Sequence, residues 1–419
     1  MSRPSFLSSV FTVAGGTALA QAIALAALPF ITRLYPPELY GGFVIFLAWG
    51  GFVLPVVCAR FEVAIALPAS LRAASAVAWG SLGIASVLST LCAVIVALVW
   101  AVHPPAREPA LALLPLYVLL GGAVQVLGNW AARVQAYRRL SLSRIVQAAA
   151  TALLSLAWVP LWGAQALGLV VATLAGQLIA LGVLAQGLSQ TGFRRRARPR
   201  QMWRLMRHFR RLTLFNVPHV LSDAAQGSGL PLLIAHFFGA PAAAYYAFST
   251  RLLKAPLGLV SGAVSQVYYP RAASHRHDDE RLRRDALRIL AVSTSGVLVA
   301  LPLLLLVPDA AYVWAFGAAW GEVGAYLRAL SPWIFSAFVA APLSVLYLVK
   351  ERFGLDFSLG LAGTLLAFAL LMGGWWVFGE VTATLWLLAL GMTAYNVLST
   401  WFEFRYVLGR GSAKGMEGR

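Results

Sequence analysis

The chain has 419 residues, 60% of them hydrophobic and only 11% charged, with a mean hydropathy of +0.76. About a quarter of the residues in a soluble domain are charged, so a single water-facing globule is excluded and the bilayer is the expected solvent. The net charge of +18 does not point to nucleic acid. The basic residues fall in short patches between apolar runs, as in loops that face an anionic cytoplasmic leaflet.

The chain opens on a decoy. Arg3, an apolar stretch and Ala18-Leu19-Ala20 imitate a signal peptide. The apolar run nevertheless continues through Ala22–Ile31 without a polar break, so a retained first span is expected. Apolar windows predict twelve spans, at 9–31, 40–60, 77–102, 110–132, 145–162, 166–188, 213–237, 241–269, 287–308, 325–349, 356–378 and 382–407. Twelve spans of ~20 residues use more than half of the chain and leave only short loops. Cys58 and Cys92 lie in or beside these runs and form no C-x-x-C, so neither a disulfide framework nor a redox or metal site is indicated.

Lys and Arg set the orientation. Counted over alternate loops from a cytoplasmic N-terminus, 28 of the 33 fall on one side. The other side holds Arg33, Arg107 and Arg328, while Arg251 and Lys254 fall inside a span. Such a bias supports an even span count, with both termini cytoplasmic. The longest basic stretch, Arg194 to Arg211, divides six spans from six. A faint repeat agrees with that division: Leu28-Pro29 precedes Tyr40-Gly41-Gly42-Phe43, and Leu230-Pro231 precedes Tyr245-Tyr246-Ala247-Phe248. The expected architecture is an all-α polytopic membrane protein with two six-helix lobes around a central cavity. Residues 1–190 form the first lobe, 191–212 a basic cytoplasmic linker and 213–419 the second lobe.

Polar groups inside a span are costly and need a partner or a wet cavity. The seventh span carries Asn216, His219, Asp223 and Gln226, spaced 3, 4 and 3 along one helix face. The eighth carries Arg251, Lys254, Gly258, Ser261 and Ser265, spaced 3, 4, 3 and 4. At ~1.5 Å per residue, Asp223 and Arg251 each lie ~15 Å from the membrane face at which their span begins, near the middle of a ~30 Å hydrocarbon core. Two readings stand side by side. One is a structural ion pair joining the helices. The other is a cavity in which Arg251 and Lys254 bind an anionic group, since two cations against one carboxylate leave net positive charge and the arginine fork suits phosphate.

Other polar residues have local readings. Arg33 ends the first span on the outer side, as an interfacial anchor or as a gate contact for a phosphate. Arg60 and Glu62 are expected to form a local pair. Gln125 and Asn129, like Gln147 and Thr151, suit interhelical hydrogen bonding. His236 suits the outer interface, and the run from His275 to Asp285 reads as a solvated loop and helix start rather than a metal site. Walker, nucleophile-elbow and H-E-x-x-H patterns are absent from the sequence, so no cofactor and no enzymatic chemistry is indicated. Without a P-loop, ATP-driven transport by this chain alone is disfavoured.

Three stretches carry a family resemblance. Phe11 to Pro68 includes ITRLYPPELYGGFVIFLAW and ARFEVAIALP. Phe215 to Ala273 contains G-x-x-x-x-x-x-Y-x-F, R-L-x-x-x-P and Q-V-x-x-P-R, and Phe316 to Pro332 reads FGAAWGEVGAYLRALSP. Together they make up about a third of the chain. The chain resembles the oligosaccharide flippases of bacterial polysaccharide export, within the multidrug/oligosaccharidyl-lipid/polysaccharide exporter superfamily. The resemblance implies alternating-access transport of undecaprenyl-pyrophosphate-linked oligosaccharide from the cytoplasmic to the periplasmic leaflet, for O-antigen or exopolysaccharide assembly. It also implies a phospholipid bilayer setting, H+ or Na+ as coupling ion, and polymerase or glycosyltransferase partners. Arg251, in S-T-R-L-L-K-A-P, is similar in place to a cavity arginine of related lipid II flippases. Drug exporters of the superfamily often carry an acid in the first helix, and residues 9–31 have none. A membrane-embedded polysaccharide polymerase or ligase is the rival of another class, but it would need sizeable outer loops.

Overall fold

The computed structural model describes residues 6–102, 109–188, 191–193, 199–276 and 278–406. Arg3, Arg107, Arg194 and the C-terminal basic residues from Arg410 lie outside them. The described residues form helices and turns, with no strand among them. The chain divides into two compact units, Met1–Ala235 and His236–Arg419.

In the first unit, α1 (Phe6–Ala26) and α2 (Leu28–Leu34) form one interrupted apolar rod. The break falls where Pro29, in the first turn of α2, removes a backbone donor. Pro36 then holds extended backbone, and Pro37 starts α3 (Pro37–Val53). Tyr35, fully buried at this corner, donates its hydroxyl to the Ser155 carbonyl at 2.9 Å. That carbonyl belongs to α6 (Tyr137–Trp162), and the bond ties the corner to a helix distant in sequence. After α3 the chain coils through single turns, with Ala59 at φ +47° and Arg60 at φ +62°. It then enters α4 (Leu71–Val102) and α5 (Leu114–Arg133). Beyond α6, α7 (Ala166–Ala185) packs on α5 and α6, while α1 packs on α6.

Helix α8 (Pro199–Phe238) has 40 residues. It starts well before the predicted seventh span, so the basic stretch from Pro199 onward forms its first turns. Gly239, at φ +90°, makes the turn into α9 (Ala240–Ser274), whose first turn holds Pro241. The positive φ is open to glycine without strain. The second unit continues with α10 (Asp279–Leu305), α11 (Asp309–Phe316), α12 (Val323–Ala340), α13 (Val345–Val349), α14 (Phe353–Phe378) and α15 (Val381–Tyr406). Here α12 packs on α9, α10 and α15, and α14 on α15.

Among the described residues, ten helical stretches are long and apolar enough to cross a membrane. They coincide with ten of the twelve predicted spans. The other two, in α8 and α9, meet the length at 40 and 35 residues but carry the polar stripes that lower their hydropathy. Large apolar side chains face outward, as on α4 at Leu91, Ile95 and Leu98, whereas Ser81, Ser89 and Gln177 are buried. That distribution suits a lipid solvent. Trp162, Trp314 and Trp376 are exposed near helix ends, where an aromatic belt belongs.

Candidate functional site

On α8 the predicted stripe occupies the more open side. Asn216, His219 and Gln226 are half-buried and Asp223 is exposed, while Ser222, Ala224, Ser228 and Leu230 are buried. Asp223 and His219 come together one turn apart, with His219 Nε2 3.8 Å from Asp223 Oδ2. The partner that the structure gives Asp223 is therefore local, on its own helix.

Arg251 and Lys254 belong to the second unit, on α9. Both are accessible, whereas Phe248, Ser249 and Leu253 on the same helix are buried. The Lys254 ammonium lies 5.7 Å from the ring centroid of Trp333 on α12, within the range of a cation–π contact. Arg251 has no hydrogen-bond or ion-pair partner among the described residues. An unpaired guanidinium on an open helix face is a ready donor to phosphate oxygens.

The helix that carries Arg251 is anchored by aromatic packing. Tyr245 and Phe248, from the Tyr245-Tyr246-Ala247-Phe248 segment, meet the buried Trp320 at centroid distances of 5.7 and 4.8 Å. Tyr245 also donates its hydroxyl to the Ala319 carbonyl at 2.8 Å. Two of the family-like stretches thus converge on one cluster and position the start of α9.

The remaining predicted residues fall elsewhere. Arg33 is exposed in the last turn of α2. Arg60 Nη1 and Glu62 Oε1 pair at 3.3 Å, as expected, with Glu62 almost fully buried. Gln125 donates to the Leu54 carbonyl at 3.1 Å, an interhelical bond, while Asn129 bonds within its own helix to Gln125. The His275–Asp285 run starts α10, with Asp278 capping the Arg281 amide at 3.0 Å, and no metal-holding group occurs among the described residues.

One residue escaped the sequence reading. Glu403, on α15, is only 4% exposed, and its Oε1 has no hydrogen-bond partner among the described residues. The Tyr268 hydroxyl of α9, likewise buried and unpartnered, and Tyr347 of α13 lie within its electrostatic reach. A single acid inside the last apolar run was the available signal.

The family described as "Polysaccharide biosynthesis protein" matches residues 30–325. The chain belongs to that family. No curated protein matches it. Among solved structures, the chain is similar to an inward-facing multidrug resistance MATE family transporter of the MOP superfamily, with a TM-score of 0.72, 16% identity and 96% of each chain covered. The outward-facing conformation of such a transporter gives 0.63 at 14% identity, with 98% of each chain covered. A MOP superfamily transporter from Pyrococcus furiosus gives 0.64 at 14% identity, covering 96% of this chain and 94% of that one. At these identities the likeness shows the fold, the one these transporters share.

Proposed function

We propose that this protein is a flippase that carries undecaprenyl-pyrophosphate-linked oligosaccharide from the cytoplasmic to the periplasmic leaflet of a bacterial inner membrane, both its termini being cytoplasmic. Residues 1–190 and 213–419 act as its two lobes, working by alternating access for O-antigen or exopolysaccharide assembly. The observation that carries the reading is Arg251, accessible on α9 and without an ionic partner among the described residues. Arg251 and Lys254 bind the pyrophosphate, and Arg33 contacts it near the outer face. Asp223, with His219 and Asn216 on the same face of α8, takes up H+ or Na+. Loading that carboxylate changes the charge of the α8 stripe, and a ligand moves a conformational equilibrium only through differential affinity for its states. The family match favours a glycan precursor over drugs, and so does the absence of an acid from residues 9–31.

The test is glycan export in cells carrying Arg251→Ala at normal protein level. Export falls at least ~10-fold if the guanidinium supplies a charge-assisted bond to phosphate; unchanged export removes Arg251 from substrate binding. For the coupling role, an Asp223→Asn chain retaining full gradient-dependent transport would exclude Asp223.

A further inference from the structure

At the junction of α9 and α10 the second unit holds a cavity of about 190 Å³ lined by Arg271, His275, Arg281, Arg284, Asp285 and Arg288. Two local features build it. Arg281, Arg284 and Arg288 recur at intervals of three and four along the first turns of α10, on one face of that helix. Arg271 comes from the last turn of α9. Asp285 stitches the two helices together: its Oδ2 lies 3.0 Å from Arg271 Nε, and its Oδ1 lies 3.8 Å from Arg288 Nη1. The carboxylate is only 17% exposed, against 59% and 74% for these two arginines. A sunken acid therefore holds guanidinium groups that stay open at the rim.

The charges do not cancel. Four arginines against Asp285 leave +3 with His275 neutral, and Asp278, 3.1 Å from Arg281 Nε, brings this to +2. Asp279, the next acid on α10, is engaged with Lys350. Arg284 has no ion-pair or hydrogen-bond partner among the described residues. Depth separates this pocket from Arg251. Arg271 follows it by twenty residues of α9, ~30 Å of helix, and lies thirty residues, or ~45 Å, from Pro241, more than a ~30 Å hydrocarbon core spans. The pocket thus sits at the membrane surface, on the side to which the basic loops point.

We propose that this pocket is a second anion site that binds a two-phosphate group, a diphosphate or a paired-phosphate lipid headgroup, at the cytoplasmic surface. Guanidinium forks donate parallel hydrogen bonds to phosphate oxygens. Basic pockets between helices on this side of a membrane are placed to take anionic headgroups. The residual charge of +2 matches a ligand of two phosphate charges better than a single phosphodiester. The site does not depend on the transport reading of Arg251.

The experiment measures binding of three probes to the purified full-length protein: inorganic pyrophosphate, cardiolipin in mixed micelles and a short-chain prenyl diphosphate. An Arg281→Gln/Arg284→Gln chain is expected to bind at least one probe about tenfold more weakly, as for loss of charge-assisted bonds. A charge-matched Arg138→Gln/Arg283→Gln control, outside the pocket, binds normally. Arg284→Lys keeps the charge but loses the fork, and gives a smaller loss in a chain that folds without difficulty. Weakening of all three probes makes the phosphate pair itself the determinant. Weakening confined to cardiolipin assigns a phospholipid headgroup, and weakening confined to the prenyl diphosphate a diphosphate lipid. Weakening of pyrophosphate alone assigns a soluble ligand. No binding to the native chain, equal binding by pocket variant and native chain, or an equal loss in the control overturns the proposal.

Discussion

Gly15 and Gly16 are neighbours on α1, yet an added methyl group should act oppositely at the two. A Cβ at Gly15 meets nothing within 4 Å. A Cβ at Gly16 would meet the Ser141 side chain on α6 and lie 2.8 Å from its Oγ and 2.9 Å from its Cα. Ordinary carbon contacts are ~3.5–4.0 Å, so α1 and α6 must part by ~1 Å or Ser141 must turn. Turning Ser141 breaks the bond that its hydroxyl donates to the Thr12 carbonyl at 2.7 Å, at ~1 kcal/mol. Overpacking adds ~1–3 kcal/mol. Gly15→Ala instead gains the helix preference of alanine, ~0.5–1 kcal/mol. The two variants should therefore differ by ~2.5–5 kcal/mol, a gap of several degrees in apparent melting temperature. Heating detergent-solubilised protein and following its elution as a monodisperse peak reads that gap directly. Equal melting temperatures for the two variants would refute the close approach of α1 to α6, and with it the role of small residues in joining these helices.

Three further outcomes follow from particular contacts. Ala59 and Arg60 sit at φ +47° and +62°, a region costly for a residue with a Cβ, so Ala59→Gly should raise thermal stability by ~0.5–1 kcal/mol; a fall would mean that the turn is not strained. At the aromatic cluster, Tyr245→Phe loses one hydrogen bond to Ala319, ~1 kcal/mol, whereas Trp320→Ala opens a cavity worth ~3–5 kcal/mol; melting temperatures in the reverse order would contradict the packing. Burial lifts the Glu62 carboxyl above its usual 4.5, against the opposing pulls of its backbone hydrogen bond and of Arg60. The folded chain then keeps a proton that the unfolded chain releases, so this group's contribution is fully present below pH 4.5 and is lost as pH rises through the raised value. Glu62→Gln should flatten that slope in a series of melts above pH 4.5; an unchanged slope would remove Glu62 as its source.

Ten of the membrane helices were legible from apolar runs alone, because burial in lipid requires nothing of sequence beyond length and apolarity. The start of α8 was not. Residues from Pro199 to Thr213 are basic and amphipathic, and a helix that leaves the membrane leaves the hydropathy signal behind while its backbone bonding continues. The polar stripes were legible because helical spacing is local, and the His219–Asp223 contact at one-turn separation is local too. Glu403 illustrates the opposite case. Its burial goes with the packing of α9, α10 and α13 around Tyr268, Leu282 and Tyr347, the first two of which lie over a hundred positions earlier in the chain. Likewise, Y-x-F and F-G-A-A-W stand out as motifs, but only the fold reveals that Tyr245, Phe248 and Trp320 form one cluster, a packing role rather than a binding one.

The two helices that fall short as apolar spans, α8 and α9, are the two that carry ionisable stripes. Both facts have one physical cause. A helix facing only lipid and protein would gain from replacing Arg251, Lys254 and Asp223 by apolar residues, since each charge near the bilayer centre costs ~2.5–3.5 kcal/mol or more. Structural ion pairing lowers that cost for Asp223, which has His219 beside it. It does nothing for Arg251, which has no such partner among the described residues. Retaining that guanidinium makes sense if an anion neutralises it during the working cycle, so its expense counts as an argument for transport and not as a defect of the fold. The same reasoning separates it from the arginines of the α9–α10 pocket. Those sit where α9 ends and α10 begins, with exposed side chains at Arg271, Arg281 and Arg288, and so mark a site by their convergence rather than by the cost of burying them.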